Sequence, residues 1–149
     1  MNSKNNPTGV VVITHGQLAT ELLNAAEMIV GDLPRFQAVS IGWHDDVTVA
    51  HAAIAAAIAK VDTGSGVLLL TDMFGGTPSN LAMAFLDAGR IEVVTGVNLA
   101  MLIKLAKGAD DTDLLTRARH LCDHGRTAIR VASDLLRADL EAAPTRGAQ

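Results

Sequence analysis

Strand-like and helix-like segments alternate along most of the chain, and this alternation is the strongest constraint on its fold. Each strand-like run is short and apolar, and each is followed by a segment with apolar residues at helical spacing. The runs lie at residues 10–14, 36–41, 67–71 and 91–95. Strict alternation predicts an α/β fold, in which a mostly parallel sheet carries helices on both faces. Right-handed crossovers favour an open doubly wound sheet with strand order 2-1-3-4.

Capping residues indicate where several helices begin. Asp45 or Asp46 is suited to cap the helix that follows the second strand. Pro78 has the backbone geometry that favours a helix start, so Thr77 is predicted to cap the third helix. The stretch Asp-Asp-Thr at 110–112 is predicted to open a later helix.

The chain is predicted to form a single domain over residues 1–149, with an ordered core at about 9–140. A chain of 149 residues with 49% hydrophobic and 19% charged residues is large enough to bury one core. The ends at 1–8 and 142–149 are polar or rich in small residues, and we expect loose tails there. The segment 127–136 fits either a fifth, C-terminal edge strand or a final helix.

Charge and cysteine content exclude several classes of function. The net charge of −4 and the lack of a basic cluster argue against a nucleic-acid partner. A single cysteine, Cys122, excludes an internal disulfide framework and fits a reducing compartment. The apolar runs are too short to span a bilayer, and the N-terminus does not resemble a secretory signal. We therefore expect a cytoplasmic protein without membrane insertion.

The predicted strand order brings two chemically useful residues to one edge of the sheet. Strands one and three are neighbours in this order, so His15 and Asp72, which follow them, are expected to meet beyond their carboxyl ends. A carboxylate bound to one ring nitrogen of a histidine fixes its tautomer and leaves the other nitrogen free as a nucleophile. Backbone N–H groups and a hydroxyl nearby can hold a phosphate. The candidate phosphate-binding residues are Gly16, Gly75, Gly76, Thr77 and Asn98.

Each of these features also has a simpler explanation. A histidine and a glycine after a strand most often form only a turn. An aspartate at a strand end is commonly a turn former or a helix cap. Two glycines followed by Thr-Pro are typical of a helix start without any ligand. Their coincidence at one edge of the sheet favours a functional site.

Metal and nucleotide sites are less well supported. His120, Cys122 and His124 resemble a ligand set, but residues two apart on a helix point in different directions. We therefore predict no metal and no cofactor. The chain contains neither of the two glycine-rich nucleotide fingerprints, and it also lacks the Gly-x-Ser-x-Gly pattern of serine hydrolases.

Four stretches of the chain resemble the enzyme IIA component of the mannose family of the sugar phosphotransferase system. They are VVVITHG at 10–16, AAEMIVG at 25–31, GVLLLTDMFGGTPSN at 66–80 and VTGVNLAML at 94–102. The resemblance implies that Nε2 of His15 accepts a phosphoryl group from the phosphorylated carrier protein HPr while Asp72 holds Nδ1. It also implies that Thr77 lies near the phosphate.

The same resemblance implies partners. The phosphoryl group would pass to a histidine of an enzyme IIB partner, and a homodimer would form by exchange of a C-terminal strand. Many family members continue into a IIB domain, whereas this sequence ends at Gln149, so we expect the acceptor to be a separate chain. Some members of this kind serve regulatory phosphorelays, so no sugar is inferred.

Two alternative functions use the same edge of the sheet. The chain can be a regulatory docking protein whose phosphorylation changes its choice of partner. It can also be a flavodoxin-like module that binds a small molecule without phosphoryl transfer. Phosphorylation by HPr would exclude the second alternative.

Overall fold

One parallel sheet forms the centre of the molecule. The computed structural model describes residues 7–108 and 112–142 of the chain. The strands are β1 (Gly9–His15), β2 (Phe36–Ile41), β3 (Val67–Thr71) and β4 (Ile91–Thr95). They are hydrogen-bonded in the order β2-β1-β3-β4, and every pair is parallel. The predicted α/β class and strand order are confirmed.

Helices cover both faces of the sheet. In the described residues they are α1 (Leu18–Val30), α2 (Val47–Val61), α3 (Thr77–Met83), α4 (Leu99–Ala106), α5 (Leu114–Thr127) and α6 (Ala132–Ala142). Side chains alternate along the buried β1, so Val10 and Val12 pack with α1, α4 and α5, whereas Val11 and Ile13 pack with α2 and α3. None of the helices within residues 7–108 and 112–142 is long and apolar enough to traverse a bilayer.

Aspartate side chains fix the starts of two helices. Asp46 caps α2, because its side chain accepts a hydrogen bond from the backbone N–H of Thr48 at 2.7 Å. Asp113 caps α5 in the same way through Thr116. The helix opening predicted at 110–112 falls largely on residues 109–111, which lie outside the described part of the chain.

Thr77 does not cap α3, contrary to the prediction. Gly76 occupies the N-cap position with φ 85°, and no side chain caps the helix. The reason is the preceding glycine turn, whose left-handed backbone leads directly into the helix. Thr77 is therefore the first helical residue, and its side chain faces a cavity beside β1.

The segment 127–136 does not join the sheet. The helix α5 continues to Thr127, and the backbone N–H groups of Ala128 and Ile129 then bond back to carbonyls of that helix. These bonds turn the chain away from an extended conformation, and α6 begins at Ala132. Within the described residues the sheet has four strands, so the fifth strand considered for this segment is absent, and α6 has no buried residue.

Candidate functional site

The carboxyl ends of β1 and β3 place a histidine and an aspartate in direct contact. The register pairs Ile13 with Thr71, so His15 and Asp72 follow from adjacent strand ends. Oδ2 of Asp72 lies 2.7 Å from Nδ1 of His15. The same oxygen accepts a hydrogen bond from the backbone N–H of His15 at 3.1 Å. One carboxylate oxygen thus holds both the ring and the main chain of the histidine.

The two side chains differ in exposure and charge. The Asp72 side chain is 14% exposed, whereas that of His15 is 53% exposed and accessible to a partner. Burial raises the pKa of the Asp72 carboxyl, but hydrogen bonds from the ring and backbone of His15 outweigh it and bring the pKa below its ordinary value. An ionised Asp72 accepts a hydrogen bond from Nδ1–H, which leaves the lone pair of a neutral ring on Nε2.

The other ring nitrogen of His15 faces a glycine turn. A Cβ added to Gly76 would lie 3.2 Å from Nε2 of His15. Gly75 and Gly76 have φ values of 88° and 85°, which glycine adopts without strain. The first N–H groups of a helix have no partner within it, so the backbone around Gly76 and Thr77 offers donors close to Nε2.

Two further candidates have other roles in the fold. The N–H of Gly16 donates to the carbonyl of Ile41 at 2.9 Å, so this amide is already engaged. Oδ1 of Asn98 caps α4 by accepting from the N–H of Met101, and its Nδ2 donates to the carbonyl of Gly125 at 3.0 Å. The Nδ2 amide of Asn98 carries a second hydrogen that these bonds do not use, and phosphate binding by Asn98 stays a prediction.

A cavity of about 590 Å³ opens beside His15. Its wall combines the site with the loop between β2 and α2, through His15, Gly16, Ile41, Gly42, Trp43, Asp45, Val47 and Thr77. The side chain of Trp43 is fully exposed. Trp43 was not among the residues predicted for the site. The predicted strand order nevertheless places β2 beside β1, so the loop after β2 is expected at the same edge of the sheet.

His120, Cys122 and His124 belong to α5, and none of them lines the cavity beside His15. Cys122 is partly buried and packs against the core. In the part of the chain that the structure describes, no group of three or more His, Cys, Asp or Glu side chains is placed to hold a metal ion. The site at the sheet edge contains the His15–Asp72 pair and the backbone of the glycine turn.

Comparison with known proteins identifies the family. Residues 9–120 match the family model described as "PTS system fructose IIA component". The chain belongs to this family. The predicted resemblance to enzyme IIA components of the sugar phosphotransferase system is thereby confirmed.

Individual relatives support the assignment. The mannose-specific EIIAB component of Escherichia coli (strain K12) is 38% identical over 108 residues, which cover 68% of this chain and 32% of that protein. The sorbose-specific EIIA component of Lacticaseibacillus casei is 30% identical over 113 residues, or 75% of this chain and 81% of that one. This chain therefore spans about a third of the length of the EIIAB relative, and the sugars in the two names differ.

A solved structure of the same kind has the same fold. The mannose/sorbose-specific IIA subunit from Enterococcus faecalis superposes with a TM-score of 0.75 and is 31% identical. The match covers 84% of this chain and 94% of that chain. The sheet and helices described here thus belong to the IIA architecture.

Proposed function

We propose that His15 accepts a phosphoryl group on Nε2 from phosphorylated HPr and passes it to a histidine of an enzyme IIB domain. The observation that carries this proposal is the orientation of the ring. Nδ1 is 2.7 Å from Asp72, while Nε2 lies beside Gly76 in a half-exposed position. A nucleophile that is oriented by a carboxylate and open to a partner suits phosphoryl relay.

The transfer step needs only the two imidazoles and the phosphoryl group. The lone pair of Nε2 attacks phosphorus, and the N–P bond of the donor phosphohistidine breaks with its electron pair left on the donor nitrogen. The donor ring, protonated on its other nitrogen, leaves as a neutral imidazole. The ring of His15 becomes a phosphorylated imidazolium, and its Nδ1–H remains bound to the Asp72 carboxylate, which stabilises the new positive charge.

Backbone donors complete the proposed site. The phosphoryl oxygens carry spread negative charge during transfer, and preorganised N–H groups stabilise that charge. The turn at Gly75 and Gly76 lies beside Nε2, so its amides and the hydroxyl of Thr77 are the groups we assign to the phosphate. A side chain at position 76 would occupy the space that the phosphate needs.

Intact-mass measurement tests the proposal directly. Wild-type protein would be mixed with enzyme I, HPr and phosphoenolpyruvate, alongside His15→Ala and His44→Ala. His44 is an exposed histidine in the loop after β2, so it is a control on the same edge. We expect wild type and His44→Ala to gain one phosphoryl group, and His15→Ala to gain none while its circular dichroism is unchanged. Phosphorylation of His15→Ala at the wild-type rate would refute the proposal.

The assembly state is a separate expectation. The C-terminal segment exposes Ile129, Val131, Leu136 and Leu140, but it forms the helix α6 rather than the strand whose exchange the family resemblance implies. A homodimer therefore stays a prediction. Light scattering at micromolar concentration would report a monomer if it is wrong.

A further inference from the structure

A second cavity lies at the opposite end of the sheet from His15. It has a volume of about 260 Å³ and is enclosed by the C-terminal end of α4, by α5 and by the amino ends of β1 and β3. Thr8 and Leu68 line it although the first is 1% exposed and the second is fully buried. The wall of this cavity therefore reaches the core of the protein.

Positively charged side chains from two helices meet at this cavity. Lys104 and Lys107 come from the end of α4, and Arg117 comes from α5, as does the imidazole of His120. Among the described residues that line the cavity there is no Asp or Glu. Because the chain has a net charge of −4, this grouping does not follow from a basic composition.

The ordinary electrostatics of helix ends explain only part of the grouping. Lysines are common near the C-terminal end of a helix, where they face partially negative carbonyl groups. This accounts for Lys104 and Lys107. Arg117 instead lies close to the start of α5, where the partial charge of the helix is positive and a cation is disfavoured. Another interaction must therefore favour the guanidinium at this position.

Arg117 has only uncharged partners within the described part of the chain. Its Nη1 donates to the hydroxyl of Thr8 and to the carbonyl of Ser65, and its Nε is buried without a hydrogen-bond partner there. None of the ion pairs between described residues involves Arg117, Lys104 or Lys107. A buried charged donor is normally paired, because leaving it unpaired costs free energy. An anion in the cavity would supply the missing partner.

From these observations we infer that the cavity binds a small organic anion with two or more negative charges. The cations of α4 and α5 hold the charged groups, and the hydroxyl of Thr8, which accepts from Arg117, still has its own hydrogen to donate. The side chains of Leu68, Leu105 and Leu121 provide an apolar surface for a short carbon skeleton.

The size of the cavity limits the ligand to a compact molecule. Its volume lies just below the range of roughly 300–1,000 Å³ found for sites of drug-sized ligands. A phosphate monoester of a small alcohol and a di- or tricarboxylate share the required charge and size. No residue of this cavity lines the one beside His15, so the site is independent of the proposed function.

A titration followed by amide chemical shifts tests this site. Labelled protein would receive glycerol 3-phosphate or citrate at constant ionic strength, with uncharged glycerol as the control. We expect at least one anion to shift the signals of Gly108, Arg117 and Leu121 with half-saturation on the order of 1 mM, because two or three charge-assisted hydrogen bonds give about this affinity. The two anions distinguish phosphate from carboxylate recognition. No saturable shift with either anion, or shifts confined to Gly75 and Gly76, would overturn the inference.

Charge-removing variants link the binding to the cavity. The double variant Lys104→Gln/Lys107→Gln should raise the half-saturating concentration about tenfold or more. Arg119→Gln removes a cation from an exposed position of α5 outside the cavity and should bind within about twofold of wild type. Arg117 is kept because it holds Thr8 and Ser65. Unchanged affinity in the double variant would overturn the inference.

Two further variants exclude other sources of the signal. His15→Ala should bind the anion as tightly as wild type, and loss of binding in this variant would place the ligand at the phosphoryl site instead. Asp110 and Asp111 follow α4 in the sequence and lie outside the described residues. Saturable binding that appears only in Asp110→Asn/Asp111→Asn would assign the cavity to the chain's own carboxylates and overturn the inference.

Discussion

The two ends of the parallel sheet are built from opposite chemistry. At the carboxyl ends of the strands lie His15, Asp72 and a glycine turn, and the loops there carry carboxylates without Lys or Arg. At the amino ends, Arg35 and Arg117 bind backbone and hydroxyl oxygens of the core. The first end presents a half-exposed histidine, whereas the arginines of the second bind internal oxygens, with only Nε of Arg117 buried without a partner among the described residues.

The amino end shows how the fold is held. Arg117 donates to the hydroxyl of Thr8 at 2.7 Å and to the carbonyl of Ser65 at 3.1 Å. Arg35 donates to the carbonyls of Thr8 and Leu105, and burial lowers the pKa of its guanidinium. Thr8, the last residue of the predicted N-terminal tail, is buried by these contacts.

Because of this contrast, we expect the two ends of the sheet to contribute differently to folding stability and to phosphoryl transfer. Substitutions at the carboxyl end should change phosphoryl transfer more than folding, because His15 is exposed and contributes little to the core. Substitutions at the amino end should change folding more than transfer. Three measurements test this separation, and they follow from the largest expected effect to the smallest.

Asp72→Asn should slow phosphoryl acceptance roughly ten- to a thousandfold. The variant keeps the shape but loses the charge that orients His15 and stabilises its cationic form. Removing the comparable carboxylate of a hydrolase triad costs about four orders of magnitude. We expect a smaller loss here because the donor is already reactive and the step depends mostly on positioning. Rapid-quench phosphorylation by phosphorylated HPr measures the rate, and a wild-type rate would show that the contact has no role in transfer.

Arg117→Met should lower the free energy of unfolding by about 2 kcal/mol without slowing acceptance. Methionine preserves much of the side-chain volume but loses charged hydrogen bonds at Thr8 and Ser65. Arg119→Met removes the same charge from an exposed position on α5 and should cost less than about 0.5 kcal/mol. Urea unfolding gives both values. A rate loss in Arg117→Met comparable to that of Asp72→Asn would contradict the separation.

The contribution of Asp72 to stability should depend on pH. Its pKa is below the ordinary value, so the native state favours the ionised carboxyl and gains stability above the unfolded-state pKa of about 3.9. That gain is lost as the pH falls through the lower native-state pKa. We expect wild type to exceed Asp72→Asn by about 1 kcal/mol at pH 7, with the gap closing below about pH 4.

Urea unfolding at several pH values measures this gap. Asp123→Asn, which removes an exposed carboxylate on α5, serves as the control and should show a small difference at every pH. A gap between wild type and Asp72→Asn that is constant from pH 7 to pH 3 would mean that the His15 contact does not favour the ionised form.

Much of the fold and the site could be predicted from local patterns. Short apolar runs separated by helical segments determine a parallel sheet. Few other arrangements both pair the backbone hydrogen-bonding groups and bury the apolar faces of strands and helices. The strand order then brings the residues after β1 and β3 to one edge. The approach of His15 to Asp72 could be predicted on this basis, as could the position of the glycine turn at the same edge.

Tertiary structure decided the details that depend on contacts between distant segments. Asn98 is engaged by Gly125, which is 27 residues away, and no local pattern reveals that bond. Gly76 rather than Thr77 occupies the N-cap of α3 at the turn that faces His15. The strand order places the loop of Trp43 at the edge of the site, but the full exposure of its side chain is visible only in the folded chain. Sequence periodicity reports which face of an element is buried, whereas the hydrogen-bond partner of a polar group is determined only when separate elements pack together.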